Sequence, residues 1–203
     1  MFRQACLAVL LCCLALAARA QPFPALYDVI DVASNDVLNI RAEPSATSPI
    51  IGALAPNASG VEIVRLDDTG RWARVRAAEQ MGWASTRFLA LVPRQGDGFG
   101  QGLTCFGTEP FWTLRYSPFE PSALTLLGDS SFAFDLAFPQ QAQGRTDVYG
   151  LSGSGTAAEM AGILQRQMCT DGMSDIEYAL SLNLILRAQD DLVFAGCCSL
   201  GAN

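Results

Sequence analysis

Leu38-Asn39-Ile40-Arg41-Ala42-Glu43-Pro44 decides how the first half of this chain is read. It is a short β-type run that Pro44 stops, because proline cannot donate to a strand ladder. Asn39 and Arg41 are placed to tie down the loop that follows. Similar runs lie on either side, each closed by turn residues. Leu26 to Val32 precedes Ser34-Asn35-Asp36. Ile50 to Leu54 precedes Pro56-Asn57, and Val61 to Leu66 precedes Asp67-Asp68-Thr69-Gly70. Trp72 to Arg76 alternates Trp72, Arg74 and Arg76 against Ala73 and Val75, and Gly82-Trp83-Ala84 begins the last run. Five or six short strands about ten residues apart, with no helical periodicity, predict a small barrel.

The order of these residues carries a resemblance. The opening heptapeptide is similar to the L-N-[VI]-R-x-x-P signature of bacterial SH3 (SH3b) domains. It is followed in order by Ile51-Gly52 with Leu54, Val61-Glu62-Ile63, Gly70-Arg71-Trp72-Ala73-Arg74-Val75, Gly82-Trp83 and Phe88-Leu89. The match runs over 26–91. Ala42-Glu43 stands where Ser-Gly is commoner, and 78–80 is the variable hairpin tip. The resemblance implies a binding module directed at cell-wall peptides or protein partners. Trp72, Arg74 and Trp83 are the candidate ligand-binding residues. The two tryptophans are expected in the barrel core or its half-buried wall, and Arg74 on an open strand surface.

Upstream, residues 1–20 read as a cleaved signal peptide. Arg3 supplies the positive start and Ala5 to Ala18 an apolar stretch. Ala18-Arg19-Ala20 puts small residues at −3 and −1 of a cleavage site. A run of about 14 apolar residues is short of the roughly 20 that cross a bilayer, and no cysteine stands at the cut to take a lipid. No later segment is long and apolar enough to span a membrane. The expectation is a periplasmic or secreted bacterial protein starting near Gln21. Removing Arg3 and Arg19, with no acidic residue lost, takes the net charge from −7 to −9. There is no lysine, and an acidic surface opposes phosphate backbones, so nucleic acid is excluded as a partner.

Three of the seven cysteines leave with the signal. Cys105, Cys169, Cys197 and Cys198 remain, an even number in an oxidising compartment and a framework for two disulfides. Of the three possible pairings, the bridge between neighbours Cys197 and Cys198 ranks last because it closes a strained ring. Adjacent residues of a strand face opposite ways, so Cys197 and Cys198 reach different partners. Cys169 with Cys197 is the favoured pair. The chain has no histidine, which removes the usual general base and the Ser-His-Asp and Cys-His designs. Zinc would need C-x-x-C or His ligands, and no metal or cofactor is expected.

Residues 93–103, Pro-Arg-Gln-Gly-Asp-Gly-Phe-Gly-Gln-Gly-Leu, read as a linker. All four mature cysteines lie beyond it, so the first domain (26–92) is expected to stand without disulfides. The second (104–199) is stapled and β-rich. Phe132, Phe134, Leu136 and Phe138 share one face, as do Tyr178, Leu180, Leu182, Leu184 and Leu186. Further strand candidates are Phe111 to Tyr116, Leu124 to Leu127, Thr146 to Leu151 and Leu192 to Ala195. Residues 163–169 lean to strand, while 156–162 stay open between strand and helix. Gly150 to Thr156 has a faint likeness to a phosphate loop, but it lacks the lysine and the following Rossmann unit and is read as a flexible loop.

Three clusters stand out in this half: Cys105-Phe106-Gly107-Thr108-Glu109-Pro110-Phe111-Trp112, Cys169-Thr170-Asp171-Gly172-Met173-Ser174-Asp175, and Gly196-Cys197-Cys198. In this order they resemble a family of small exported bacterial proteins with C-x-G-x-E-P-F-W, C-x-D-G-M-S-D and a terminal G-C motif, a family without an established activity. Glu109, Trp112, Asp171 and Asp175 are the candidate binding residues here. A calcium loop needs alternating oxygens and a distal Glu, which this spacing does not supply. The bland alternative is that Asp171-Gly172 makes a turn and Asp175 accepts backbone N–H groups. Phe111 and Trp112 point to opposite faces of a strand, one inward and one outward.

The sequence therefore predicts an all-β, two-domain protein: a small SH3-like barrel, then a disulfide-stapled β-barrel or sandwich. The leading function is non-catalytic binding of a cell-wall peptide or envelope protein. The rivals are a carboxylate-dependent hydrolase using Glu109 or Asp171 and Asp175, and an inhibitor or chaperone-like module with an exposed apolar loop.

Overall fold

The computed structural model describes residues 22–93, 98–126 and 130–201. The expected signal peptide, 1–20, lies outside them. Sixteen strands are present among these residues, with one 3-10 turn.

Seven strands form the first unit: β1 (Ala25–Val29), β2 (Leu38–Arg41), β3 (Ile50–Leu54), β4 (Val61–Leu66), β5 (Trp72–Ala77), β6 (Gln80–Ser85) and β7 (Leu89–Leu91). They are arranged in the order β3-β2-β6-β5-β4-β1-β7, and the 3-10 turn, Thr86–Phe88, leads into β7. The period-two pattern fixes which residues point inward. Ile40, Ile63, Ala73, Val75, Ala77 and Ala84 fill the core. Gly82 is obligatory here, because a Cβ would run into the Ile40 and Ile51 side chains.

A register shift between Ile63 and Arg65 inserts one extra residue, Val64. Such a bulge re-aims the side chains beside it. Val64 and Met81 belong to a buried cluster separate from the first core. Trp83 sits beside them, paired across the strands with Arg74. Trp83 is buried (7% exposed) outside the cluster that fills the first core, with the Arg65 and Arg74 guanidiniums over its ring.

The second unit is a closed eight-stranded barrel, not a sandwich. Its strands are β8 (Leu103–Thr108), β9 (Phe111–Tyr116), β10 (Ser122–Leu126), β11 (Ser131–Leu136), β13 (Val148–Ser154), β14 (Glu159–Gln165), β15 (Leu180–Arg187) and β16 (Asp191–Leu200), with β12 (Gln140–Gln141) laid on β13. Each pairs antiparallel with the next, and β16 pairs back onto β8. This up-and-down closure leaves no open sheet edge. An eight-stranded barrel has an interior that side chains can fill. Leu103, Trp112, Leu114, Tyr116, Leu124, Phe134, Leu164 and the leucines of β15 fill it.

The seam of the barrel corrects the loop assigned to Gly150–Thr156. Residues 148–154 are strand, and Asp135 and Leu136 pair there with Ser154 and Gly153. At Gly153 and Gly155 an added Cβ would meet the carbonyl oxygens of Asp135 and Ala133. The glycines are present for close backbone approach rather than flexibility. The open stretch 156–168 is also resolved. The strand runs over 159–165, with Met160 and Leu164 inward, earlier than the 163–169 that the sequence favoured. Cys169 instead forms an isolated bridge with Tyr178.

Both disulfides match the expected pattern, Cys105–Cys198 and Cys169–Cys197. Cys198 lies directly across from Cys105 in the β8–β16 ladder. Cys197 points the other way, toward the loop that carries Cys169.

Of the expected linker, residues 94–97 lie outside the described residues and the remainder is not a free spacer. Phe99 is fully buried in the barrel core. Its ring meets Tyr149 edge-on at 4.8 Å, and the Arg166 guanidinium lies 4.9 Å from its centre. A glycine-rich composition concealed one anchoring aromatic.

Candidate functional site

The SH3-like unit presents a groove of about 580 Å³. Trp72, Phe88 and the exposed Val37 give it an apolar floor, with Asp31 and Asp36 at one part of its rim and Arg41 and Arg87 at another. The local sequence holds these groups in place. Asp67 of the Asp-Asp-Thr-Gly turn accepts from the Trp72 backbone N–H at 2.8 Å, while Gly70 (φ 68°) closes the turn by donating to Asp67 O. The Thr69 hydroxyl, followed by backbone donors, keeps the Asp67 carboxyl below its ordinary value. Thr86 at the head of the 3-10 turn donates from its backbone N–H to Arg71 O and from its hydroxyl to Gly70 O. Arg41 donates to Ser48 O at 2.6 Å and so ties the loop after β2, as its position beside Pro44 suggested.

Only Trp72 of the three SH3 candidates faces this groove. Arg74 does not line the groove and is not an open strand-surface residue, its side chain being 17% exposed. It donates from Nε (2.9 Å) and Nη2 (2.6 Å) to Oε1 of Glu177, while Arg65 Nε donates to Oε2 at 3.2 Å. Both guanidiniums lie over the Trp83 ring, at 4.8 Å for Arg65 and 5.2 Å for Arg74. Burial pushes the Glu177 pKa up, but the hydrogen bond and charge of Arg74, with Arg65 behind it, outweigh this and hold it below the ordinary value.

Glu177 belongs to the segment following Cys169, which the Cys169–Cys197 bridge fastens to β16. Around this clamp Val64 and Met81 pack with Ile176, Tyr178, Ala179 and Cys197. The Arg166 guanidinium donates to Pro24 O at 3.1 Å. Glu62 accepts from the Leu200 backbone N–H at 3.0 Å. The Glu62 carboxyl is withdrawn from water, and desolvation pushes its pKa up to about 7, against the pull of Leu200 N–H and the charge of Arg76. Neither Glu62 nor Glu177 was picked out from sequence. A glutamate in a β-run carries no local sign that a second domain will cover it.

The candidates of the barrel divide between structural and exposed roles. Trp112 is 3% exposed and packs in the barrel core, part of it also lining the depression beside Phe111. The outward partner of that pair is Phe111, 48% exposed. Asp171 lowers its loop into shape. Its carboxylate accepts from the backbone N–H of Met173 (3.0 Å) and Ser174 (2.9 Å) and from the Ser174 hydroxyl, and these bonds hold its pKa below the ordinary value. Gly172, at φ 70°, makes the turn. The capping role given to Asp175 thus falls to Asp171. Asp175 and Glu109 are exposed, and Glu109 sits in the β8–β9 turn before a cis Pro110.

A depression of about 560 Å³ at the barrel seam includes Asp135, Glu159 and Arg187 in its lining. Among the described residues no group of three or more acidic or cysteine side chains is placed to hold a metal ion. No helix among them is long and apolar enough to cross a membrane.

Residues 36–90 match the family model of the bacterial SH3 domain. This is the segment of β2 to β7 that builds the groove. No curated protein and no solved structure matches the chain.

Proposed function

We propose that the mature chain is an exported envelope protein that acts by binding rather than catalysis, its SH3 groove taking a cell-wall peptide or a segment of an envelope protein. The observation that carries this reading is the bacterial SH3 match over 36–90 together with the open groove it builds around Trp72. Partly exposed aromatic and Arg side chains dominate such sites, and Trp72, Arg41 and Arg87 occupy one groove. Two disulfides are compatible with an oxidising, extracytoplasmic compartment. Binding is further favoured over carboxylate hydrolysis by the barrel's acids. The Asp171 carboxylate caps its own loop, and Glu109 and Asp175 are solvent-exposed, so none of the three is desolvated as a general acid would be.

The test compares sedimentation of the intact mature protein and Trp72→Ala with purified peptidoglycan. The wild type is expected in the pellet and the variant to be depleted from it. Equal sedimentation of both would remove the groove as the site. If neither sediments, the same two proteins used as baits in envelope extract test the protein-segment arm. A partner captured by the wild type and lost with Trp72→Ala supports it.

A further inference from the structure

The first and second cysteine motifs of the barrel, which begin 64 residues apart at Cys105 and Cys169, meet in one cleft of about 660 Å³. The outer face of three strands forms its floor. Phe106 lies opposite Thr113, and Thr113 opposite Thr125, across β8, β9 and β10. Thr108 and Phe111 pair at the next row. The loop carrying Asp171 and Met173 forms the other wall. It is held there by the Cys169–Cys197 bridge, by the Asp171 cap and by the Thr108 hydroxyl donating to Asp171 O at 3.2 Å.

Two large apolar side chains stand open at this cleft, Phe111 at 48% and Met173 at 70% exposure. The fold explains neither. Phe111 alternates out of a core that Trp112 already fills, and Met173 caps nothing within its loop. Leaving them in water forgoes burial that each would otherwise gain. A cleft with two exposed apolar anchors is the form of a protein-docking surface. It also adjoins an interface the molecule already uses, since Phe106 packs edge-on to Tyr178 at 5.0 Å in the cluster that joins the two units.

The charges around it select the occupant. Glu109 lies in the turn between Thr108 and Phe111, Asp171 lines the cleft, and Asp175 follows Met173 by two residues. On the outer face of β8 to β10 the sole cation is Arg115, two residues past Thr113 and away from the turn. The chain has no lysine and a net charge of −7. We infer that the cleft formed by Phe106, Phe111, Thr113 and Met173 docks a basic segment of another protein, an apolar side chain seated between Phe111 and Met173 and flanking Lys or Arg residues facing Glu109, Asp171 and Asp175. This is a second binding surface, independent of the SH3 groove.

The probe is a fluorescein-labelled peptide, Gly-Lys-Lys-Phe-Lys-Lys-Gly, titrated by anisotropy against the intact mature protein at low and moderate salt. Two companions replace the lysines by Glu or the Phe by Ala. The basic, Phe-bearing peptide is expected to bind, the Glu peptide not to bind, and the Ala peptide to bind at least tenfold more weakly. Phe111→Ser and Met173→Ser are each expected to weaken binding at least tenfold. Both side chains are exposed, so an unchanged melting curve verifies the fold. Glu109→Gln is expected to reduce the salt dependence.

Equal affinity of the Phe111 and Met173 variants and the wild type would overturn the inference, as would tight binding of the Glu peptide. Loss of binding in Trp72→Ala with retention in Phe111→Ser would move the site to the SH3 groove and overturn it too. A dimer in sedimentation velocity that Phe111→Ser dissolves would make the occupant a second copy of this chain, which also refutes a basic partner.

Discussion

Glu62 should make the stability of this protein depend on pH in a window where almost nothing else in the chain titrates. Its carboxyl lies where β4 of the SH3 unit meets the last barrel strand, accepting from Leu200 N–H, with Arg76 and Tyr178 nearby. Desolvation raises its pKa from 4.5 to about 7. A raised carboxyl pKa means that the folded protein binds the proton more tightly than the unfolded chain. The contribution of Glu62 to stability is then fully present at and below pH 4.5, is lost as pH rises from 4.5 to 7, and is level above 7. A shift of that size corresponds to about 3 kcal/mol between the two ends, or about 6–12 °C in Tm for a chain of this length.

No histidine is present to blur the window, and Asp171 and Glu177 are held below their ordinary values. Glu62→Gln keeps an oxygen for Leu200 N–H and never ionises. It should therefore raise Tm at pH 8 and leave pH 5 nearly unchanged. The assay is thermal melting of wild type and Glu62→Gln at half-unit steps from pH 4.5 to 8. A wild type with the same Tm at pH 5 and pH 8, or a Glu62→Gln variant that keeps the wild-type slope, would refute the reasoning.

Arg74→Ala should cost about 2–3 kcal/mol by chemical denaturation, because it removes two charge-assisted bonds and leaves Glu177 half-buried beside Arg65 alone. Arg145→Ala, which breaks an exposed pair with Asp147, should leave the denaturation midpoint where it is. In the chain-entropy model, the Cys105–Cys198 bridge, spanning 93 residues, contributes about 4.5 kcal/mol and the Cys169–Cys197 bridge, spanning 28, about 3.5. Melting of the two paired Cys→Ser variants should rank in that order, and only loss of Cys169–Cys197 should also free the Glu177 segment to rapid amide exchange. Gly107→Ala should destabilise by about 1–3 kcal/mol, since its Cβ would collide with the Trp112 indole and approach Ala195 O to 2.7 Å. A melting curve like that of the wild type would show that Trp112 can shift.

Much of the β architecture was legible because its signal is local. Ile50–Leu54, Val61–Leu66 and Phe111–Tyr116 fall where alternation and turn residues put them, since period two depends only on one face being wet and the other dry. The disulfide pattern followed from a local fact as well, that Cys197 and Cys198 must face opposite ways. What failed was composition used as a proxy for mobility. Gly153 and Gly155 read as a loop, yet they let β13 meet β11 and close the barrel. Phe99 was one aromatic among four glycines and still became part of the core. A glycine's meaning depends on what approaches it, and that partner lies elsewhere in sequence.

The candidate site was read less well, for a related reason. Arg74 and Trp83 were candidates for a ligand surface, Arg74 as an open strand-surface residue and Trp83 from the core or half-buried wall of the barrel. The second unit supplies the ligand they would otherwise seek: Glu177 fits between two guanidiniums stacked on the indole. Those residues thus work within the molecule, and the two binding surfaces proposed above are ones that this interface does not consume. One is the Trp72 groove of the first unit. The other is the Phe111–Met173 cleft, at the margin of the seam and beside Phe106. Because the clamp fixes the two units against each other, both surfaces are presented at a set separation rather than on a flexible tether. A partner touching both would then bind with an effective concentration set by the interface, and Arg74→Ala should weaken it while leaving each single-site peptide affinity unchanged. Equal loss in the single-site titrations would show instead that Arg74 supports one of the sites directly.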